Sequence, residues 1–277
     1  MKTEASATEF VMSISKALFL HLYSDTKPRH QLIAKLQKGL ILVSNETELA
    51  GEGIGLGVPA VRYRDRTYFS GSSTMKFQQA GSHAVVIKKF TLNLTSQRTL
   101  RNVRMETNTA RKIRRSFDKL YMKHKQSRLL VFENVLRHAG VKREFVQTKP
   151  AGSAIVVYNI DPPYVGVKAE FRLLQDAGIQ EIFLLNEQGS KHFRKYYDSN
   201  GTVLCDTDIG AWETVDANWA CIYSVENNVG FRLWKHEDAV LHRGREFLNG
   251  AIDWVGLDYG ANPENMCFEY TIELVRS

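Results

Sequence analysis

Cysteine is scarce in this 277-residue sequence, and paired metal or redox motifs are lacking. The three cysteines, Cys205, Cys221 and Cys267, are widely spaced and form no C-x-x-C pair, which predicts buried thiols rather than disulfides or a zinc site. The eight histidines form no H-x-x-x-H pair, and no G-x-S-x-G motif marks a serine nucleophile. We therefore expect no metal and no cofactor, and the sequence leaves open whether the protein is an enzyme.

Long apolar runs are also lacking. No stretch approaches the roughly 20 apolar residues that span a bilayer. The N-terminal apolar patch at residues 17–20 follows Glu4 and Glu9 and ends at His21, so it lacks the basic and apolar regions of a secretory signal. A composition of 43% apolar and 24% charged residues predicts a globular fold. We expect a cytoplasmic protein that has no membrane partner.

Charge is distributed unevenly along the chain. Residues 88–149 contain 17 Lys and Arg against four acidic residues, a net charge of +13, although the whole chain has a formal net charge of only +7. The remaining residues are therefore acidic on balance, with a net charge of −6. The sequence predicts an acidic body into which one strongly basic segment is set.

Most of the chain alternates between apolar and polar residues, as half-buried strands do. Residues 165–173 and 266–274 alternate strictly, and residues 86–94 do so except at Lys88. Asn200-Gly201 predicts a hairpin between residues 196–197 and 203–204. Further turns are expected at residues 64–66, 227–228 and 249–250.

Two segments have helical spacing instead. Residues 9–24 place apolar side chains at positions 11, 14, 18 and 22, which predicts a short amphipathic helix at the N-terminus. In the basic segment, Ile113, Phe117 and Leu120 form an apolar stripe opposite arginines and lysines, and Thr107 or Asn108 can cap such a helix. This second helix is expected within residues 105–140.

Many short antiparallel strands predict a mainly β protein, a large antiparallel β-sandwich with a basic helical insertion and a short N-terminal helix. We expect a single domain over residues 1–277, with the helical insertion at about residues 105–140. The linker-like sequence at residues 149–153 offers an alternative, two domains that divide near residue 150.

Glycines alternate over residues 51–57 without forming a nucleotide-binding motif. The sixth position of a G-x-G-x-x-G fingerprint is occupied by Leu56 or Val58, and Pro59 follows where a helix would begin. No G-K-[ST] sequence is present for a phosphate loop. Alternating glycines in a strand indicate that a ligand or another backbone approaches closely.

Tryptophan and acidic residues concentrate in the C-terminal half. All four tryptophans lie between residues 212 and 254, with carboxylates nearby. Sugar sites use flat aromatic rings to cover the apolar side of a pyranose and carboxylates to accept hydrogen bonds from its hydroxyls. We therefore predict a ligand-binding site for a glycan. Its predicted residues are Trp212, Glu213, Trp219, Asp253, Trp254 and Asp258.

The basic segment predicts a different ligand. Arginines and lysines over residues 98–128 suit the binding of a nucleic acid or another polyanion, since each neutralised phosphate releases counterions. The predicted contacts are Arg111, Arg114, Arg115 and Lys119. The same charge can instead pair with the acidic body or with a second subunit in a homo-oligomer.

Three functional hypotheses remain from the sequence. The first is a β-sandwich that binds carbohydrate or processes it as a hydrolase, which would require two carboxylates across a cleft. The second is a nucleic-acid-binding protein that acts through residues 98–128. The third is a structural or assembly module.

Overall fold

The structure is a computed structural model that describes residues 8–24, 37–51, 53–63, 66–94, 97–100, 141–144, 150–174, 178–248, 252–262 and 264–276. Strands make up most of these residues, and every paired strand is antiparallel to its neighbours. The strands of the N-terminal sheet are β1 Glu9–Ser13, β2 Leu18–Tyr23, β3 Ile41–Ser44 and β4 Thr47–Glu48.

A second sheet contains fourteen strands. They are β5 Gly55–Tyr63, β6 Arg66–Ala80, β7 His83–Leu94, β10 Pro150–Asp161, β11 Tyr164–Leu173, β12 Ile179–Gly189, β13 Lys195–Asp198, β14 Val203–Cys205, β15 Glu213–Val215, β16 Trp219–Ser224, β17 Val229–Trp234, β18 Ala239–Leu248, β19 Ile252–Ala261 and β20 Cys267–Val275. Two further strands, β8 Gln97–Leu100 and β9 Val141–Glu144, pair with each other. The prediction of a mainly β, antiparallel protein is confirmed.

The fourteen strands run in the order β14-β13-β16-β17-β20-β11-β10-β7-β6-β5-β12-β19-β18-β15. In this spatial order, we call the eight strands from β14 to β7 the first half of the sheet and the six strands from β6 to β15 the second half. The two halves face each other, because strands that are distant in this order touch. Tyr158 of β10 donates to the carbonyl of Gly57 on β5, and Tyr270 of β20 donates to Asn186 of β12. The main core lies between the halves.

Local sequence accounts for much of this arrangement. The hairpin predicted at Asn200-Gly201 is confirmed, since Tyr197 pairs with Val203 across β13 and β14. The turn predicted at residues 227–228 connects β16 to β17. Tyr63 of β5 pairs with Arg66 of β6, on either side of residues 64–65, which lie outside the described residues. The turn predicted at residues 249–250 lies outside the described residues.

The predicted N-terminal helix is wrong, because residues 9–23 form the hairpin of β1 and β2. Phe10 and Met12 are buried whereas Val11 is exposed, so the burial repeats every second residue rather than every 3.6. On β2, Leu18, Leu20 and Leu22 are likewise buried at every second position, which the prediction of a helix did not take into account. In the described part of the chain, the one helical element is a 3-10 turn at Asp206–Ile209. The basic helix predicted within residues 105–140 lies outside that part.

Lys88, which interrupts the apolar pattern of β7, connects the two sheets. Its side chain is fully buried and donates hydrogen bonds to the carbonyls of Tyr23, at 2.5 Å, and Lys38. The ammonium also lies 5.0 Å from the centre of the Phe90 ring. A buried charge is tolerated when hydrogen bonds and ring contacts replace its hydration, which explains why a lysine occupies a core position.

The alternating glycines border the second half of the sheet. A Cβ at Gly53 would lie 2.8 Å from the carbonyl oxygen of Glu187, so the backbones of the two segments touch. Gly57 has a positive φ of 74°, and a Cβ there would lie 2.8 Å from the Tyr158 ring. At these two positions the glycines therefore serve close packing of the protein itself.

Candidate functional site: an aromatic face of the sheet

The structure separates the six residues of the predicted glycan site. Trp219 lies on β16 in the first half of the sheet, whereas Trp254 and Asp258 lie on β19 in the second half. Trp212 and Glu213 lie at the start of β15, the strand at the edge of the second half. The backbone of Asp253 belongs to β19, but its side chain lies outside the described part of the structure.

Trp212 and Trp254 pack against the protein. Trp212 covers Gly244 so closely that a Cβ on that glycine would lie 2.5 Å from the Trp212 ring. Trp254 is only 8% exposed, and its indole nitrogen is buried without a hydrogen-bond partner among the described residues. The Trp254 ring therefore lacks the open flat surface that a stacked sugar requires, and one side of the partly buried Trp212 ring is covered by Gly244.

The carboxylates of the second half have partners within the protein. Glu213 forms an ion pair with Arg243, and Asp258 accepts a hydrogen bond of 3.4 Å from the backbone amide of Asn186. In the part of the chain that the structure describes, no three His, Cys, Asp or Glu side chains are grouped so that they could hold a metal ion.

Trp219 belongs instead to an aromatic surface on the outward side of the first half. On β16 and β17, Ala220, Ile222, Phe231 and Leu233 point into the core, so the residues between them point outward. The same alternation on β13 and β20 turns Tyr197 and Glu273 outward. We call this surface the aromatic face. It consists of Tyr197, Trp219, Tyr223, Arg232, Trp234 and Glu273.

Aromatic rings on neighbouring strands touch across this face. Trp219 and Trp234 are directly opposite each other, with ring centres 6.3 Å apart. Tyr197 lies 5.9 Å from Trp219 and 6.4 Å from Tyr223. These distances and tilted orientations are typical of favourable aromatic pairs, which hold the rings in fixed positions. Trp234 is 41% exposed and leaves its ring accessible to solvent.

An arginine and a glutamate supply the polar groups of the aromatic face. The Arg232 guanidinium lies 4.3 Å from the Trp219 ring centre and 5.8 Å from that of Trp234. It donates a 3.0 Å hydrogen bond to Glu273, which also accepts a 3.1 Å bond from the Trp234 indole nitrogen. The two charges therefore compensate each other, and both side chains are fixed by the rings beside them.

Cys221 lies beneath this surface, between Trp219 and Tyr223 on β16. Burial raises the pKa of its thiol to about 12, although Tyr197 and Arg232 act in the opposite direction. The thiol is therefore protonated at neutral pH and unsuited to nucleophilic chemistry. The aromatic face offers stacking and hydrogen bonding rather than a reactive group.

Sequence reasoning identified Trp219 but missed how its neighbours assemble. The turns at residues 200–201 and 227–228 were recognised, and alternation from those turns places Tyr197, Trp219 and Trp234 on one side of three paired strands. No sequence pattern identified Arg232 or Glu273 as site residues, because a single charged residue in a strand is common. Their role depends on β17 pairing with β20, which are distant in sequence.

A separate charged group lies on the second half. His242 contacts Glu181 at 2.9 Å, and Arg62 contacts the other oxygen of the same carboxylate at 2.9 Å. Burial alone would raise the pKa of Glu181, but the hydrogen bond from His242 and the charge of Arg62 lower it below its ordinary value. Glu181 is thus a carboxylate at neutral pH, held between two partners.

The predicted polyanion-binding residues Arg111, Arg114, Arg115 and Lys119 lie outside the described residues. On either side of them, β8 and β9 form a two-stranded pair in which Arg98 is opposite Arg143. Within the residues that the structure describes, no helix is long and apolar enough to cross a membrane.

Comparison with known proteins identifies no family. No protein-family model matches the chain, and no curated protein matches it. Among solved structures, the chain is similar to the Slr1438 protein from Synechocystis sp. PCC 6803, with 7% identity, a TM-score of 0.39 and coverage of 99% of this chain and 96% of that one. It is also similar to a galactose mutarotase-like protein from Clostridium acetobutylicum, with 9% identity, a TM-score of 0.41 and coverage of 99% and 98%. At these TM-scores neither likeness carries an argument about function.

Proposed function

We propose that the protein binds carbohydrate through the aromatic face. The observation that supports this proposal best is the Trp219–Trp234 pair, in which one ring is well exposed and a fixed Arg232–Glu273 pair lies beside it. An exposed tryptophan ring can cover the apolar C–H side of a pyranose, while the guanidinium and the carboxylate bond its hydroxyls.

The proposal concerns binding rather than hydrolysis. Canonical glycoside hydrolysis uses two carboxyl groups on either side of the scissile bond, one of them protonated. Glu273 already accepts hydrogen bonds from Arg232 and Trp234. It therefore suits the role of a hydrogen-bond acceptor for a sugar hydroxyl.

Trp219 is the member of the predicted glycan site that this proposal retains. Trp212, Glu213, Asp253, Trp254 and Asp258 remain predictions as ligand contacts. We also propose that the facing halves of the sheet form the predicted single sandwich domain, since β7 pairs with β10 across the alternative boundary near residue 150.

Native gel electrophoresis in the presence of soluble neutral polysaccharides tests the proposal. We expect the wild-type protein to be retarded by at least one polymer of a panel of glucans, xylans, mannans and galactans, and Trp234→Ala to migrate as if no polymer were present. Val240→Ala is the matched control, since Val240 has the same exposure, 40% against 41%, but lies in the second half of the sheet. Equal retardation of both variants and the wild type would exclude the aromatic face as the site.

A second candidate function is nucleic-acid binding through residues 98–128, which the net charge of +13 over residues 88–149 favours. We expect retention of the wild type on heparin and on a DNA duplex that weakens as salt rises. Replacing Arg111 and Arg114 by serine should reduce the salt dependence by roughly one unit of slope per lost phosphate contact. Elution of the wild type at low salt from both matrices would exclude this function.

A further inference from the structure

Another exposed aromatic residue lies on the same side of the sheet as the aromatic face. Tyr164 begins β11 and is 50% exposed, while the next residue, Val165, is fully buried. Tyr164 is directly opposite Glu273, which in turn is opposite Arg232. The Arg232–Glu273 pair therefore lies between two exposed rings, Trp234 on one side and Tyr164 on the other.

The spacing of these two rings follows from sheet geometry. Tyr164 and Trp234 are two strands apart, and Trp234 lies two residues beyond Arg232 along β17. With strands about 4.8 Å apart and residues about 3.4 Å apart, their Cα atoms are separated by about 12 Å. One pyranose ring cannot stack on both side chains across such a distance.

Two small residues border the path between the two rings. Thr271 and Gly166 are paired there on β20 and β11, next to the Arg232–Glu273 pair. A Cβ added at Gly166 would meet no atom closer than 3.6 Å, the Cβ of Asn159, so packing does not demand a glycine at this position. The absence of a side chain at Gly166 leaves open space beside Tyr164, on the side of Tyr164 towards the row of Trp234, which a ligand bound to both rings can occupy.

We propose that the ligand is a linear neutral oligosaccharide of several units that stacks on Trp234 and Tyr164 at once. This inference rests on the proposed function, and it names the class of carbohydrate. A chain that contacts both rings gains the second contact without a second loss of translational freedom, so its affinity increases with length. A neutral chain fits because Arg232 and Glu273 compensate each other.

Isothermal titration with a size series tests this inference. The series consists of oligosaccharides of increasing length from the polysaccharide that retards the wild type most strongly in native gels. We expect the affinity of the wild type to rise about tenfold or more from the monosaccharide to the longest oligomer. For Tyr164→Ala we expect no such rise in affinity with length, and we expect the variant to bind the shortest ligands as the wild type does.

Gly166→Val is a second variant, which adds a side chain where Tyr164→Ala removes one. It fills the open space beside Tyr164 without removing either ring, so we expect it to weaken binding of the long oligomers and spare the short ones. Thermal melts of both variants should match the wild type, because both positions are at the surface.

The outcomes separate the inference from the proposed function. If no polysaccharide retards the wild type, both are wrong. If a polysaccharide does, but monosaccharide and long oligomers bind equally well, or Tyr164→Ala follows the wild type at every length, the aromatic face binds sugar and the extended ligand is wrong.

Discussion

Aromatic residues with polar partners occur both inside this protein and on its surface, and the two groups differ in how their polar atoms are satisfied. Inside, Tyr270 donates to Asn186 and stacks on Tyr259 with ring centres 4.4 Å apart, while Tyr158 donates to the carbonyl of Gly57. The Asn186 side chain accepts hydrogen bonds from the Gly57 amide and the Tyr270 hydroxyl and donates to two backbone carbonyls.

The aromatic face has similar chemistry without this enclosure. Its rings touch one another, but Trp234 remains exposed, and Arg232 and Glu273 are only partly covered. Burial also affects titration, since it raises the pKa of Tyr259 in the core to about 12. The comparison indicates that the interior group stabilises the contact between the two halves of the sheet, whereas the outer group contributes little to stability and remains available to a ligand.

Removing the centre of the interior group should have the largest effect. We expect Asn186→Ala to lower the free energy of unfolding by about 4 kcal/mol, because the Gly57 amide and the Tyr270 hydroxyl would stay buried without a partner. Urea unfolding measures the change. Asn159→Ala, at an exposed position of β10, is the control and should change stability by less than about 0.5 kcal/mol. Similar losses in both variants would contradict the role of the network.

A smaller loss is expected from Gly57→Ala. The alanine would have to adopt a φ of 74°, which costs about 1–2 kcal/mol, and its Cβ would press on the Tyr158 ring. We expect a total loss of about 3 kcal/mol once the ring contact is included. Gly81→Ala is the control, since Gly81 has a φ of 62° but open space around its Cβ. Equal losses would mean that backbone strain alone is responsible.

Strand β13 contributes to both groups, because Tyr196 points into the core and Tyr197 belongs to the aromatic face. Asp198, on the inward side of the same strand, provides the next test. Tyr196 donates to Asp198 at 2.6 Å, and Asp198 also accepts bonds from the amides of Asn200 and Thr202. Burial alone would raise the pKa of Asp198, but these hydrogen bonds lower it below its ordinary value of 3.8.

The stability that Asp198 contributes is therefore present above pH 3.8 and disappears as the pH falls through its lower pKa in the folded protein. We expect Asp198→Asn to cost about 1–2 kcal/mol at pH 7 and progressively less in acid. Urea unfolding of both proteins from pH 7 to pH 2 measures the difference. A difference that is constant with pH would show that the charge of Asp198 is not what matters.

The smallest effect on stability is expected on the aromatic face. Trp234→Ala removes an exposed ring, so we expect a loss of at most about 1 kcal/mol, far below the 3–5 kcal/mol that a core tryptophan costs. The buried Trp254 provides the comparison, and Trp254→Ala should show the larger loss in the same thermal and urea experiments. Equal losses would mean that Trp234 is part of the folded core, and its assignment to ligand binding would be wrong.

Sequence alone predicted the strands far better than their partners. Alternation along residues 165–173 and 266–274 and the turn at Asn200-Gly201 are local, and each is confirmed. The N-terminal hairpin was missed because Val11, Ile14, Leu18 and Leu22 also have helical spacing, and the exposure of Val11 becomes evident only in the folded protein.

The candidate site was harder to predict, because its members come from strands that pair over long distances. Trp219 was named from composition, but Glu273 joins it through the pairing of β17 with β20. Trp254 and Trp219 are similar in sequence context, yet one is buried and the other lies in the aromatic face. Nothing local distinguishes them, since each follows a polar residue and precedes an apolar one.

Lys88 has a consequence for how the protein unfolds. Its ammonium group donates hydrogen bonds to the carbonyls of Tyr23 and Lys38 and would lose both if the N-terminal sheet separated from β7. Such a separation would also expose Phe10, Leu20 and Leu22, which share one core with the large sheet, so partial opening of the two sheets is disfavoured. The two sheets should therefore exchange their most protected amide hydrogens at the same rate, as parts of one cooperative unit.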